Sequence, residues 1–226
     1  IKAHLMNCFN INENQIKVIY NSVDPAMLKI YVDKEKLKTE LGINPQDFVI
    51  GFVGRIDFKE KGIDVLLEAY NLISKFRFTT HLLILGDGSN QKEVEKYCEV
   101  NKLKITLLSS KENIFNYYNI MDVVVLPSRI EPFGIVVLEA GSTNKPFVGS
   151  KVDGIAELIE NEKEGLLFES GNADALVKQI IKIIDDKKFA DVLAKNLNKK
   201  VLESFTVQII IPQYEKLYKD ILHNAV

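Results

Sequence analysis

Short apolar runs alternate along this chain with stretches whose apolar positions recur at helical spacing. Phe48–Val53, His81–Leu85, Lys104–Leu108, Asp122–Leu126, Pro146–Gly149 and Gly165–Phe168 read as strands, and Lys17–Tyr20 as a further short one. Ile63–Phe76 carries Val65, Leu66, Ala69, Tyr70, Leu72 and Ile73 on one helical face. The same spacing predicts helices over Gln91–Asn101, Ile114–Ile120, Gly134–Asn144 and Ile155–Asn161. Three more, Ala173–Asp185, Lys188–Glu203 and Val207–His223, close the chain. Strands that are apolar on both faces and alternate with helices belong to a parallel sheet covered on both sides. The pattern therefore predicts an α/β fold, a doubly wound, Rossmann-like parallel sheet, with no repeat and short loops.

Ligands of such sheets collect beyond the carboxyl ends of the strands. The segments to inspect are Asn21 to Asp24, Gly54-Arg55-Ile56, Gly86-Asp87-Gly88, Ser109-Ser110-Lys111, Pro127 to Gly134, and Lys151 to Gly154. The most informative stretch is Glu131 to Ala140, E-P-F-G-I-V-V-L-E-A. Glu131 sits in a Pro-Gly turn after the apolar run Val123 to Leu126. Glu139 lies among Val136, Val137, Leu138 and Ala140, in a helix expected to begin near Phe133 or Gly134. A carboxylate in that setting is costly to bury without a partner. The first backbone amides of the helix, at Phe133, Gly134 and Ile135, would attract an anion. Two hydroxyl acceptors beside an anion cradle suit a sugar joined to a diphosphate.

Composition narrows the choice. A 226-residue chain that is 46% hydrophobic is long enough for a large α/β domain with a full core. A net charge of −2 speaks against nucleic acid, which needs a clustered basic face. No run approaches the roughly 20 apolar residues that span a bilayer. Cys8 and Cys98 fit no metal or redox spacing and suit a reducing cytoplasm. The chain opens on Ile1 without an initiator Met or signal peptide, so it is expected to be a fragment of a longer protein.

Other residues add chemistry. Arg55 offers a bidentate grip on phosphate and Lys61 a point charge. Together they would neutralise a leaving diphosphate without a metal ion. Gly54 and Gly86 permit close backbone approach, although Gly86-Asp87-Gly88, like Asn21 and Asp24, also fits an ordinary turn. Glu157 fits an exposed helix position equally well. No G-x-G-x-x-G follows the first clear strand and no G-x-x-x-x-G-K-[ST] occurs, which removes the dinucleotide and P-loop signatures. Asp-x-Asp is absent, and His4, His81 and His223 are scattered, with His81 read as structural.

The ordered motifs resemble a known family. Val18 to Asp24 looks like its V-I-x-N-G-V-D element, with Ser22 where Gly is usual. Gly54-Arg55 followed by Lys61-Gly62 resembles its G-R…K-G pair, and Leu83 to Gly88 its L-x-I-x-G-D-G strand. Pro127-Ser128, Glu131, Phe133-Gly134 and Glu139-Ala140 match its P-S…E-x₇-E-A core. Gly165 to Phe168, Phe205-Thr206, Tyr214 and Tyr218 also fit. The family is the group 1 set of retaining GT-B glycosyltransferases, and the resemblance covers nearly the whole chain.

The resemblance implies that residues 1–226 form the C-terminal, nucleotide-sugar (donor) binding domain, beginning at the tail of an N-terminal acceptor domain of the same protein. It assigns the diphosphate to Arg55, Lys61, Gly134 and Ile135, and the ribose to Glu139. The donor sugar goes to Glu131, Phe133 and Gly134, with Glu131 as the catalytic residue. Gly54, Gly86, Asp87 and Glu157 are further candidate contacts. The implied reaction transfers a hexosyl-type group to a glycan or lipid-linked acceptor with retention, using no cofactor and no obligatory metal. The implied setting is cytoplasmic, with the inner membrane face as a peripheral site. Asp153-Gly154 stands where Gly-Gly is frequent, and Ser109-Ser110 replaces a common Gly near the base pocket. Two other readings stay open at this level, a GT-B-fold sugar-nucleotide epimerase and a non-catalytic nucleotide-sugar binding module.

Overall fold

A computed structural model describes residues 2–9, 11–27, 33–109 and 113–224. Six strands make one all-parallel sheet: β1 (Phe48–Val53), β2 (Thr80–Leu85), β3 (Ile105–Leu108), β4 (Val123–Leu126), β5 (Phe147–Ser150) and β6 (Leu166–Phe168). Their spatial order is β3-β2-β1-β4-β5-β6. Every predicted strand after residue 40 is present, within one residue at each end. β1 pairs with β2 from Phe48↔Thr80 to Val53↔Leu85, and with β4 at Ile50↔Val123 and Gly51↔Val124. Chain order reverses between β1 and β4, which is the topological switch point of the sheet.

The strands are buried on both faces. Val123, Val124 and Val125 are fully buried, as are Leu82, Leu83 and Ile84. Each such side chain contributes about 1.5–3 kcal/mol when removed from water, and the periodicity of two expected of a one-sided sheet disappears. Gly51 of β1 makes room for Met121, whose sulfur would overlap a Cβ there.

Ten α-helices are described. α1 is Lys2–Phe9, α2 Lys34–Glu40, α3 Ile63–Ser74, α4 Gln91–Val100, α5 Ile114–Ile120 and α6 Ile135–Ser142. α7 is Asp153–Leu158, α8 Ala173–Asp185, α9 Lys187–Ser204 and α10 Val207–Asn224. α9 packs across α6 at Gly141, where a Cβ would come 2.6 Å from Val201 Cγ2 and 2.9 Å from Leu197 Cγ. Asn198 Nδ2 donates to the Gly141 carbonyl at 2.8 Å and fixes the contact. The helix that carries Glu139 is thereby held from behind.

Several expectations change. Lys17–Tyr20 is not a strand. Its Tyr20 ring instead packs on Phe133 and Phe205, at centroid distances of 5.8 and 5.6 Å. The following segment is pinned by Val23 N–H to the Phe205 carbonyl (2.9 Å) and Val207 N–H to the Val23 carbonyl (3.0 Å). α7 begins two residues before the expected Ile155, because Asp153 and Gly154 already take part in its first turn. α2, which the apolar pattern missed, buries Leu37 as its sole apolar core residue and starts on the Asp33 side chain, which accepts from Lys36 N–H.

Candidate functional site

The carboxyl ends of β1, β2 and β4 place the expected residues around the switch point. Past β1 and β2 the parallel ladder runs on through Gly54 N–H to Leu85 O and Gly86 N–H to Leu108 O, both 2.9 Å. Gly86 has φ 148°, and a Cβ there would overlap the Gly54 carbonyl. This close approach is the reason for glycine. Gly54, Arg55, Gly86, Asp87 and Ile114 line a cleft of about 340 Å³.

Beyond β1, residues 55–62 form a loop tied on both sides. Asp57 Oδ1 accepts from Glu60 N–H at 2.6 Å, and this bond holds the Asp57 carboxyl below its usual range. Ile56 N–H donates to the Asp87 carbonyl at 2.9 Å, and Phe58 N–H to Asn90 Oδ1 at 3.1 Å. Arg55 is exposed and ion-paired with Glu60. The loop ends at Gly62, a left-handed N-cap (φ 62°) whose Cβ would overlap the Pro127 carbonyl.

Beyond β4, Glu131 is only 7% exposed. Its Oε2 accepts from Lys61 Nζ at 2.7 Å and from Ser128 Oγ at 3.2 Å. The structure thus joins a residue expected at the diphosphate to one expected at the sugar, 70 positions apart in sequence. The Glu131 carbonyl accepts from Gly154 N–H at 3.0 Å, and a Cβ on Gly154 would overlap Phe133 Cα. Asp153, in the left-handed region at φ 30°, turns the chain into this contact. Of the Gly-Gly pair frequent in the family, the second glycine is the one this packing demands.

α6 begins at Ile135, one residue later than Gly134, and Gly134 is its left-handed N-cap at φ 93°. No side chain caps this helix start. Val137 N–H donates to the Gly134 carbonyl at 2.9 Å, and the amides of Ile135 and Val136 precede that first helical bond, which is the position that attracts anions. Glu139 is the fifth residue of α6, a little over one turn in. Its Oε2 accepts from the fully buried hydroxyl of Tyr118, on α5, at 2.6 Å. Burial raises the Glu139 carboxyl above its usual range, and the Tyr118 hydrogen bond opposes that shift. Burial and the neighbouring carboxylate push the Tyr118 hydroxyl far up, so it stays protonated as the donor.

The Glu157 carboxylate accepts from the Tyr20 hydroxyl, whose ring packs on Phe133. Asp24 serves a local turn, with Oδ1 accepting from Ala26 N–H at 2.9 Å. Ser110 and Lys111 lie outside the described residues. Sequence reasoning missed Tyr118, and it placed Ser128 and Arg129 in the segment after Leu126 without giving either a partner. Tyr118 belongs to an apolar helix pattern, and nothing local marks its partner 21 residues on.

A second cleft, of about 630 Å³, lies at the opposite, amino end of the sheet. Two of its lysines, Lys34 and Lys38, pair with Asp122, at 3.0 and 3.8 Å, and Lys145 Nζ donates to the Asn119 carbonyl at 2.8 Å. Among the described residues, no group of three His, Cys, Asp or Glu side chains is gathered to hold a metal ion. Among the same residues no helix is long and apolar enough to cross a membrane.

Known proteins resemble this chain in sequence and fold. The chain is 30% identical to an uncharacterized glycosyltransferase, MJ1607, of Methanocaldococcus jannaschii, over 97% of this chain and 57% of the relative. It is 29% identical to the capsular polysaccharide biosynthesis glycosyltransferase CapM of Staphylococcus aureus, over 94% of this chain and 57% of that protein. The chain therefore spans about 57% of the length of these two relatives. Among solved structures, Anabaena Alr3699/HepE in complex with UDP-glucose superposes with a TM-score of 0.85 at 27% identity, over 92% of this chain and 58% of that one. The C-terminal domain of the Francisella tularensis group 1 protein LpcC shares the fold at 22% identity and a TM-score of 0.72, matched over 99% of its length and 82% of this chain. The family model described as "Glycosyl transferases group 1" matches residues 33–200. With its Rossmann-like sheet and this match over most of its length, the chain belongs to the group 1 glycosyltransferases, enzymes of GT-B fold.

Proposed function

We propose that this chain is the donor-binding domain of its enzyme and holds a nucleotide-diphosphate sugar at the switch point between β1 and β4. The observation that carries this reading is the Lys61–Glu131 pair, 2.7 Å apart and set beside the uncapped start of α6. A cation, a carboxylate and a row of helix amides face one place. Phosphate needs the first and third, and sugar hydroxyls need the second. The solved relative in complex with UDP-glucose supports the same ligand class.

Each residue then has a task. Arg55, Lys61 and the amides from Gly134 and Ile135 neutralise the diphosphate. Glu139, with Oε2 held by Tyr118, offers Oε1 to the ribose hydroxyls. Glu131 and Phe133-Gly134 contact the sugar, with Gly54, Gly86 and Asp87 at the neighbouring cleft. Breaking the bond between the anomeric carbon and the phosphate oxygen moves negative charge onto the leaving diphosphate. Fixed cations and amides stabilise that charge as it develops, without requiring a metal. Glu131 is the catalytic residue of this scheme, and the transfer is of the retaining, hexosyl type. The acceptor, a glycan or lipid-linked sugar of a surface polysaccharide, enters from an N-terminal domain of the whole protein.

Calorimetry of this chain against UDP, GDP, ADP and their sugars tests the reading. Binding to one nucleotide diphosphate is expected, with its affinity lost in Arg55→Ala and Glu139→Ala. Sugar transfer by the 226-residue chain alone is expected to be weak or absent. No binding to any nucleotide diphosphate overturns the assignment.

A further inference from the structure

The loops after β1 and β4 must keep Lys61 and Glu131 in register, yet they come from strands far apart in sequence. One side chain bridges them. Arg129 Nη1 and Nη2 donate to Asp64 Oδ1 and Oδ2, each at 2.7 Å, a bidentate pair that spans 65 residues. Nη1 also donates to the Phe58 carbonyl. The Arg129 and Ile130 amides both donate to the Glu60 carbonyl, at 2.7 and 3.2 Å. Asp64 lies in the first turn of α3, three residues after Lys61. Arg129 precedes Glu131 by two residues. A single guanidinium therefore grips the β1 loop at Phe58 and the helix start just past Lys61, while its own backbone grips the same loop at Glu60.

The geometry points to Arg129 as a positioning residue of the donor site: by clamping Asp64 and the Phe58 carbonyl, it sets Lys61 and Glu131 at the separation that a sugar diphosphate requires. Lysine cannot replace it, because only the planar fork reaches both Asp64 oxygens and the carbonyl together. Arg129 acts through Lys61 and Glu131 and is itself occupied by protein partners. This role rests on the donor-site reading above.

The test uses the whole chain with Arg129→Lys, Asp64→Asn and Lys61→Met, singly and combined. Calorimetry gives affinities for the diphosphate and monophosphate of whichever base the wild type prefers among UDP, GDP and ADP. Thermal unfolding checks folding. Arg129→Lys and Asp64→Asn should each weaken the diphosphate about tenfold and the monophosphate by less than about twofold. In the Lys61→Met background the additional loss from Arg129→Lys should shrink to less than about twofold, because the two act as one unit. Asp64→Asn, at a half-exposed carboxylate, keeps the test open if Arg129→Lys fails to fold. Unchanged diphosphate affinity, equal loss of both nucleotides, an undiminished loss in the Lys61→Met background, or failure of both variants to fold overturns the role. A wild-type chain that binds no nucleotide overturns the donor-site reading itself, a distinct outcome.

Discussion

The two ends of the sheet hold the same kinds of residue and use them differently. At the amino end, Asp122 accepts from Val49 N–H at 2.8 Å and pairs with Lys34 and Lys38. Lys38, only 2% exposed, is completed by the Asp47 and Pro45 carbonyls at 2.7 and 3.2 Å. At the carboxyl end, Glu139 relies on Tyr118 alone among these contacts, Glu131 on Lys61 and Ser128, and α6 starts on a glycine without a side-chain cap. The amino end spends its charges on fastening α2 and the strand starts together. The carboxyl end arranges its charges around a helix start that favours an anion. A charged group is structural where protein completes its partners, and a candidate for function where polar capacity converges on one place.

Substitutions at the two ends should therefore separate stability from binding. The largest effect is expected for Asp122→Ala. It strips Lys34, Lys38 and the Val49 amide of their common acceptor, costing about 3–4 kcal/mol in urea unfolding, while nucleotide affinity stays within about twofold. A matching drop in affinity would erase the contrast between the ends.

Next comes pH. His81, buried on β2 with Nε2 2.9 Å from Thr106 Oγ1, is pushed down by burial from 6.5 to about 4. The folded state thus holds His81 neutral where the unfolded chain would protonate it. Stability is complete above pH 6.5 and falls as the pH drops towards 4. The loss attributable to this group is about 3 kcal/mol. His81→Gln should flatten that part of the stability–pH profile, and an unchanged profile would deny the histidine its role.

Lys61→Met addresses the carboxyl end. Removing the cation should weaken a nucleotide diphosphate about 100-fold by calorimetry and a nucleoside far less. The smallest effect is expected for Glu139→Gln, with two signs. Diphosphate affinity should fall about tenfold as the ribose loses a charged acceptor. Because burial raises the Glu139 carboxyl, its ionisation at neutral pH opposes folding. The neutral amide should therefore raise Tm by about 2 °C. By the same sign, wild-type affinity should decline on acidification at a higher pH than an ordinary carboxylate would give. A variant that loses both Tm and affinity would make Glu139 structural after all.

Much of this contrast was legible before any coordinates. Fully apolar runs at Phe48–Val53 and Val123–Leu126 identify doubly covered strands, because no surface position interrupts them. Glu139 among valines and leucines announced a carboxylate in an apolar helix, and its proximity to the strand end followed from the fold class. Lys17–Tyr20 misled because its composition resembles a strand, while only the Tyr20 ring packs on Phe133 and Phe205 and Val18 stays exposed. α2 was missed because a helix fastened by lysines to Asp122 needs little apolar periodicity. The role of Arg129 was not legible, since its partner Asp64 is local to it only in three dimensions. Pairings between loops of different strands are set by the sheet order, and no spacing in the sequence encodes them.

The most direct measurement is a crystal structure of this chain with the nucleotide-diphosphate sugar it binds. The account predicts the diphosphate within about 3 Å of Lys61 Nζ and the first amides of α6, with the ribose hydroxyls on Glu139. A nucleotide lodged instead among Lys34, Lys38 and Lys145 at the amino end of the sheet would contradict it.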